Sequence, residues 1–207
     1  MKKKILSRIL LGSLMLTGCS ASLVNLKYED GQLLNKRLGL VNNAAPTNYE
    51  PVAVGEAYGY YGDIDMTLYE IAGLDPKEWL TQDYAGSATT IFYSEDQTLP
   101  TLAEMEPTKI HVCTGDTITY GLVTVDDAAA VAEVVDLFMN GEAAEWPMLD
   151  SIDTYELKFA SETWPRLYYN LTYYEYEDGI YLYDRNSKRC VVIGDLLETW
   201  IDNQWEG

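Results

Sequence analysis

The sequence predicts an α+β fold: a mainly antiparallel β-sheet with two or three short helices packed on it. Three observations support this prediction. Short runs of alternating apolar and polar residues recur along the chain, Asp-Gly pairs separate some of these runs, and only a few segments have helical periodicity or caps. A hydrophobic content of 47% is sufficient for a real core.

The first half of the chain is predicted to contain strands and one helix start. Strands are expected on both sides of the turn Asp30-Gly31, at Ile64–Ile71 and at Ala88–Tyr93. Residues 42–51, with two prolines, resemble a loop. Asp75-Pro76 followed by Glu78 predicts a helix N-terminus with Asp75 as its cap.

The second half is the clearer β region. Strands are predicted in a hairpin over Lys109–Val125 and at Tyr155–Phe159, Leu167–Tyr176, Ile180–Tyr183 and Arg189–Ile193. An amphipathic helix is expected after the capping box Thr124-x-x-Asp127, ending at Asn140-Gly141. Asp195 and Glu198 predict a final short helix.

The N-terminus has the organisation of a lipoprotein signal. Three lysines precede the short apolar stretch Ile5–Leu16, and Leu16-Thr17-Gly18-Cys19 resembles a lipobox. We therefore expect cleavage before Cys19, a diacylglyceryl group on its thiol, and attachment to the extracytoplasmic face of the cell membrane. An ordinary secretory signal with a chance cysteine is the alternative.

This gives three predicted segments: a signal peptide (1–18), a lipidated cysteine with a short tether (19–26), and an acidic, tyrosine-rich domain (27–207). A division of that domain into two lobes, about 27–108 and 109–207, is left open.

Charge limits the classes of partner. Of the 14 Lys and Arg residues, four lie in the first 18 residues, whereas all 33 Asp and Glu residues lie after residue 18. The mature chain therefore has a net charge of −23. Such a surface repels nucleic acid and anionic headgroups, which excludes nucleic-acid binding and leaves membrane contact to the lipid. A cationic partner and a simple solubility role both remain open.

Two cysteines, Cys113 and Cys190, remain after lipidation. Both lie in predicted strands. A disulfide forms only if those strands are neighbours; the alternative is two buried free thiols.

Catalytic and metal constellations are scarce. Because the sequence has a single histidine, His111, it cannot form a multi-histidine metal site, and we expect no histidine-based triad. Asp63-x-Asp65 resembles the start of a calcium loop, but the later ligands are missing. We therefore predict no catalytic residue, no metal and no cofactor, although counting alone does not exclude a two-carboxylate glycosidase.

Tyrosine is unusually frequent, at 17 residues against 3 phenylalanines. On the predicted strand Leu167–Tyr176, alternation places Tyr168, Tyr174 and Tyr176 on one face. This row is a candidate stacking surface for a sugar or a peptide. The alternative is a sheet face that faces water or is covered by helices.

A family resemblance agrees with this location. The mature chain resembles a group of uncharacterised lipoproteins of Gram-positive, gut-type Firmicutes. The motifs are Tyr28-x-Asp30-Gly31, Ala45-Pro46, Tyr69-Glu70-Ile71-x-Gly73-x-Asp75-Pro76, Leu182-Tyr183-Asp184-Arg185 and Cys190-Val191-x-x-Gly194-Asp195-Leu196-Leu197. These are turn, cap and strand motifs, so the resemblance implies a location and leaves the activity open.

The first hypothesis is therefore a non-catalytic envelope lipoprotein with a binding or structural role. The second is an acidic inhibitor or immunity-type binder of a basic envelope protein. The third is a glycan-binding module or glycoside hydrolase.

Overall fold

The structure, a computed structural model, describes residues 23–62, 66–84, 87–115, 119–147 and 151–202. Its strands and helices confirm the predicted α+β, mainly antiparallel fold. The first half contains β1 (Val24–Glu29), β2 (Gln32–Asn35), β3 (Leu40–Ala44), β4 (Tyr49–Pro51), β5 (Val54–Tyr61), β6 (Met66–Ile71), β7 (Trp79–Tyr84), β8 (Ser87–Ser94) and α1 (Leu102–Met105). The second half contains β9 (Lys109–Thr114), β10 (Tyr120–Val125), α2 (Ala128–Asn140), β11 (Asp153–Ala160), β12 (Leu167–Tyr176), β13 (Gly179–Tyr183), β14 (Cys190–Val192) and α3 (Glu198–Asp202).

Seven strands of the first half close into a barrel in the order β1-β2-β3-β8-β7-β6-β5. β1 and β2 meet at the predicted turn, where Asp30 and Gly31 have positive φ angles of 50° and 83°, as a tight hairpin turn requires. The barrel closes where β1 pairs in parallel with β5. The interior is filled by Leu26, Leu33, Leu40, Leu68, Leu80 and Phe92.

The second sheet has the order β10-β9-β11-β12-β13-β14. β12 is long enough to hold two partners on one edge, with β4 beside its first residues and β13 beside its last ones. The inner face of this sheet packs against α2, α3 and the outside of the barrel. One hydrophobic cluster joins Leu157 and Leu171 of the sheet to Trp79 and Ile91 of the barrel wall. β4, a strand from the first half of the chain, thus belongs to the second sheet, and the two halves share a core.

The predicted helix after Asp75 is wrong. Asp75 accepts backbone hydrogen bonds from Glu78 and Trp79, both at 2.9 Å, and this forms a single turn before β7 begins at Trp79. Trp79 is buried in the core shared with the second sheet, whereas its neighbour Leu80 is buried inside the barrel. Burying consecutive residues on opposite sides requires a strand.

Other boundaries also differ. The helix expected after Thr124 is confirmed, but its cap is Asp127, whose carboxylate accepts from the amides of Ala129 and Ala130, while Thr124 lies in β10. The predicted loop at 42–51 contains the end of β3 and all of β4. β1 begins at Val24, so the last three residues of the predicted tether belong to the barrel.

Within the described ranges, none of the helices is both long and apolar enough to cross a membrane.

Candidate functional site

The face of the second sheet that points away from α2 and the barrel is called here the outer face. Alternation along β12 places Tyr168, Asn170, Tyr174 and Tyr176 on it. His111 and Cys113 of β9 and Cys190 of β14 also point to this side. The structure therefore brings the candidate tyrosines, the histidine and the two cysteines of the second half of the chain together on one surface.

The end of the outer face near β4 is a charged network. Lys158 Nζ lies 2.6 Å from Glu50 Oε1 and 3.7 Å from Glu156 Oε2. Asn170 Nδ2 donates to Glu50 Oε2 at 2.8 Å and to Glu156 Oε1 at 3.3 Å. β11 contributes two members, Glu156 and Lys158, and β12 and β4 contribute one each, so the sheet register holds the network in place.

Burial and charge set the protonation of this network. Burial alone would lower the pKa of Lys158, but the hydrogen bond and charge of Glu50, together with the charge of Glu156, raise it above its usual value. Burial raises the pKa of the Glu156 carboxyl, and the charge of Lys158 only partly opposes this rise. The lysine therefore stays charged, while Glu156 takes up a proton more readily than an ordinary glutamate.

His111 borders the network as a neutral side chain. Its Nδ1 lies 2.9 Å from Thr124 Oγ1, and its ring packs edge-to-face on Tyr168, with the ring centroids 5.7 Å apart. Burial, followed by the charges of Lys109 and Lys158, lowers the pKa of His111. At neutral pH the imidazole can therefore donate or accept a hydrogen bond without adding charge.

Cys113 is buried at 6% exposure, and burial raises the pKa of its thiol. A thiol of this kind is a weak nucleophile, because the reactive form is the thiolate.

The other end of the outer face is an aromatic cluster. Residues 141–147 leave α2 and cross the sheet edge, with the amide of Ala144 donating to the carbonyl of Cys190 at 2.8 Å. This places Trp146 against Tyr174 and Tyr183, at centroid distances of 4.5 and 4.0 Å. The sequence did not predict a role for Trp146. Its one distinguishing feature there is that it is a tryptophan in an otherwise acidic segment between α2 and β11.

The predicted row of three tyrosines is only partly accessible. Tyr176 is 6% exposed and packs against Tyr181, whereas Tyr168 and Tyr174 are half-buried. The segment 141–147 packs on the aromatic end of this face through Ala144 and Trp146, so a connecting segment and not a helix covers it there. The accessible surface is therefore Trp146 and Tyr174 at one end and Tyr168 with its polar neighbours at the other.

The disulfide between Cys113 and Cys190 is not formed, and both are buried free cysteines. Three strands, β11, β12 and β13, lie between β9 and β14. At about 4.8 Å per strand the two backbones are on the order of 19 Å apart, far beyond disulfide reach.

The predicted lipidation site, Cys19, and the pair Asp63 and Asp65, which resembles the start of a calcium loop, lie outside the described residues. In the part of the chain that the structure describes, no group of three or more His, Cys, Asp or Glu side chains is arranged to hold a metal ion.

Comparisons with protein family models, with curated proteins and with solved structures find no match. The proposals below therefore rest on the residues alone.

Proposed function

We propose that this chain is a lipid-anchored, extracytoplasmic binding protein that recognises a saccharide on the outer face without chemically changing it. The observation that supports the ligand class is that one sheet face has an aromatic cluster, Trp146 with Tyr174, at one end and a preformed polar network at the other. A pyranose ring presents an apolar face that stacks on aromatic rings and hydroxyl groups that bond to carboxylates and amides.

The anchor is proposed from the sequence. The lipobox at Cys19 follows a complete signal region, and β1 begins only five residues later. Because five residues extend at most about 18 Å, the domain would lie close to the membrane surface. The strongly acidic chain gains nothing from anionic lipid, so the acyl chains would supply the membrane affinity.

A non-catalytic role is supported by the state of the polar groups. Lys158 and Asn170 already bond both carboxylates, Cys113 is held as a thiol, and His111 bonds a threonine instead of a carboxylate. Each arrangement favours stable hydrogen bonding over proton or acyl transfer.

Two experiments test this proposal. The Cys19→Ala chain should move from the membrane to the soluble fraction, and retention in the membrane would contradict the anchor. The full-length chain in a neutral polyoxyethylene detergent should bind a subset of a soluble oligosaccharide array, and Trp146→Ala should weaken that binding about tenfold or more. Tyr120→Ala, which removes a 60% exposed tyrosine outside the aromatic cluster, is the matched control. Absence of any binding by the unmodified chain would refute the saccharide assignment.

Glycoside hydrolysis is a second candidate, and one observation favours it. Glu50 Oε2 and Glu156 Oε1 share one donor, Asn170 Nδ2, so these oxygens lie within about 6 Å of each other. Retaining glycosidases place their carboxyl groups about 5–5.5 Å apart and use one with a raised pKa as the acid. Release of reducing ends from a bound oligosaccharide, abolished by Glu156→Gln with binding retained, would establish hydrolysis. Binding without release would support the non-catalytic proposal.

A further inference from the structure

A groove runs between α1 and α2, on the side of the molecule away from the outer face. Its volume is about 360 Å³. Its lining is mainly apolar and includes Ala103, Pro107, Ala132, Val135 and Met139. Met139 is 37% exposed and adds a large apolar side chain to this lining.

Both helices are rigidly held, so the groove is preformed. Leu102 and Met105 anchor α1 in the shared core, and the Ser161 hydroxyl donates to the carbonyl of Met105. At the end of α2, Arg189 donates to the carbonyls of Phe138 and Gly141, each at 2.6 Å. A ligand that enters would therefore cost little ordering of the protein.

The rim of the groove has two carboxylates, and the nearby cation, Arg189, donates to backbone carbonyls at the end of α2 and has no hydrogen bond to either of them. Glu106 and Asp136 belong to the lining, and their hydrogen-bond donors are the neutral side chains of Thr163 and Asn140. Neither helix contains a lysine or arginine. Among the described residues, the ion pairs involve only Lys27 and Lys158, both remote from these helices in the sequence.

The sequence between Lys77 and Lys158, which includes both helices of the groove, also has many more acidic than basic residues. Between Lys77 and Lys158 the chain contains 16 Asp and Glu but a single basic residue, Lys109. A charge distribution of this kind repels anions and attracts an extended cationic surface. An apolar trough with a negative rim is complementary to a segment that has both aliphatic and basic side chains.

We propose that this groove docks an amphipathic, lysine- or arginine-bearing helical segment of a protein partner. Its aliphatic side chains enter between α1 and α2, and its cations pair with Glu106 and Asp136. This interaction is separate from saccharide recognition, because the groove and the outer face share no residue.

The test measures binding of a synthetic amphipathic Leu/Lys helix to the full-length chain in neutral detergent micelles, with empty micelles as the blank. Ala132→Trp, which fills the groove, should weaken binding about tenfold or more. Ala129→Trp adds the same side chain at an exposed position of α2 outside the lining, and should leave the affinity unchanged. Asp136→Asn should weaken binding more than Glu133→Gln, an equal loss of charge away from the lining, and high salt should reduce that difference.

Three results would overturn the proposal. Equal effects of the two tryptophan variants would show that the groove is not the binding site. Equal binding of a scrambled Leu/Lys peptide would show that charge alone is responsible. A dimer of this chain that Ala132→Trp dissociates, without peptide binding, would show that a second copy occupies the groove.

Discussion

Replacing Lys158 by methionine should lower the free energy of unfolding by about 2–3 kcal/mol. Removing one partner of a fully buried ion pair typically costs about 3–5 kcal/mol, because the other charge is left desolvated. The side chains of Lys158 and Glu50 are 11% and 23% exposed, so solvent reduces this cost. Glu156 is more exposed, with 40% of its side chain accessible, so the loss of its pairing with Lys158 contributes less to the destabilisation.

Urea unfolding at neutral pH, followed by tryptophan fluorescence, measures this change. For an m-value near 2 kcal/mol/M, the midpoint should fall by about 1 M. Lys27→Met is the matched control, because Lys27 pairs with Glu29 while 70% of its side chain is exposed. That variant should stay within about 0.5 kcal/mol of the unmodified protein.

The loss should also depend on pH. Burial raises the pKa of Glu156, and without the charge of Lys158 it should rise further. A carboxyl whose folded pKa exceeds its unfolded pKa favours the folded state when protonated, so the Lys158→Met chain should regain stability as the pH falls through that folded pKa.

Neutralising the stranded partner gives the decisive comparison. The double variant Glu50→Gln, Lys158→Met should recover most of the lost stability, because no isolated charge remains on Glu50. If Lys158→Met were as stable as Lys27→Met, or if the double variant were no more stable than the single one, the network would not stabilise the fold as argued.

Three further predictions concern the fold. Gly59→Ala should lower the free energy of urea unfolding by about 1–3 kcal/mol, since the new Cβ would lie 2.4 Å from a carbonyl oxygen of β1. Gly121→Ala, whose Cβ would have nothing within 4 Å, should be near neutral, and equal losses of stability in the two variants would contradict this. Glu175→Gln should raise stability in low-salt thermal melts by on the order of 0.5 kcal/mol, because Glu175 lies directly opposite the like charge of Asp153 on the neighbouring strand. Burial, followed by nearby carboxylates, raises the pKa of Glu175, and a loss of stability in the variant would count against repulsion between the two carboxylates. Burial raises the pKa of Tyr49 to about 12, so folding stability should fall as the pH rises from about 10 towards 12, because the unfolded tyrosine ionises in that range. Tyr49→Phe should make stability fall less steeply with pH, and an unchanged pH dependence would refute this role of Tyr49.

Much of the second sheet could be predicted because its signals are local. The alternation of β12 gave its bounds, Leu167–Tyr176, as the structure has them, and Asp178-Gly179 marked the turn into β13. The helix α2 was predicted from its apolar stripe, although its cap lies three residues beyond Thr124. Caps and turns depend on neighbours within a few residues, so sequence spacing is informative about them.

The candidate surface was predictable only in part. Alternation placed Tyr168, Tyr174 and Tyr176 on one face, but their exposure depended on where the segment after α2 runs. Glu50 illustrates the same limit, since it lies 108 residues from its partner Lys158 and reaches it only because β4 pairs with β12. Contacts of this range depend on the pairing of whole strands, which residue spacing does not report.

The sequence by itself determined the local elements, the acidic balance and the predicted anchor at Cys19, because propensity, charge and export signals are properties of short segments. Only the tertiary structure decided that β1 meets β5 to close a barrel, that one turn at Asp75 leads into a strand, and that three strands separate Cys113 from Cys190. The physical reason is burial: side chains that alternate along a strand acquire an inside, an outside or a partner only when distant strands take their places around a common core.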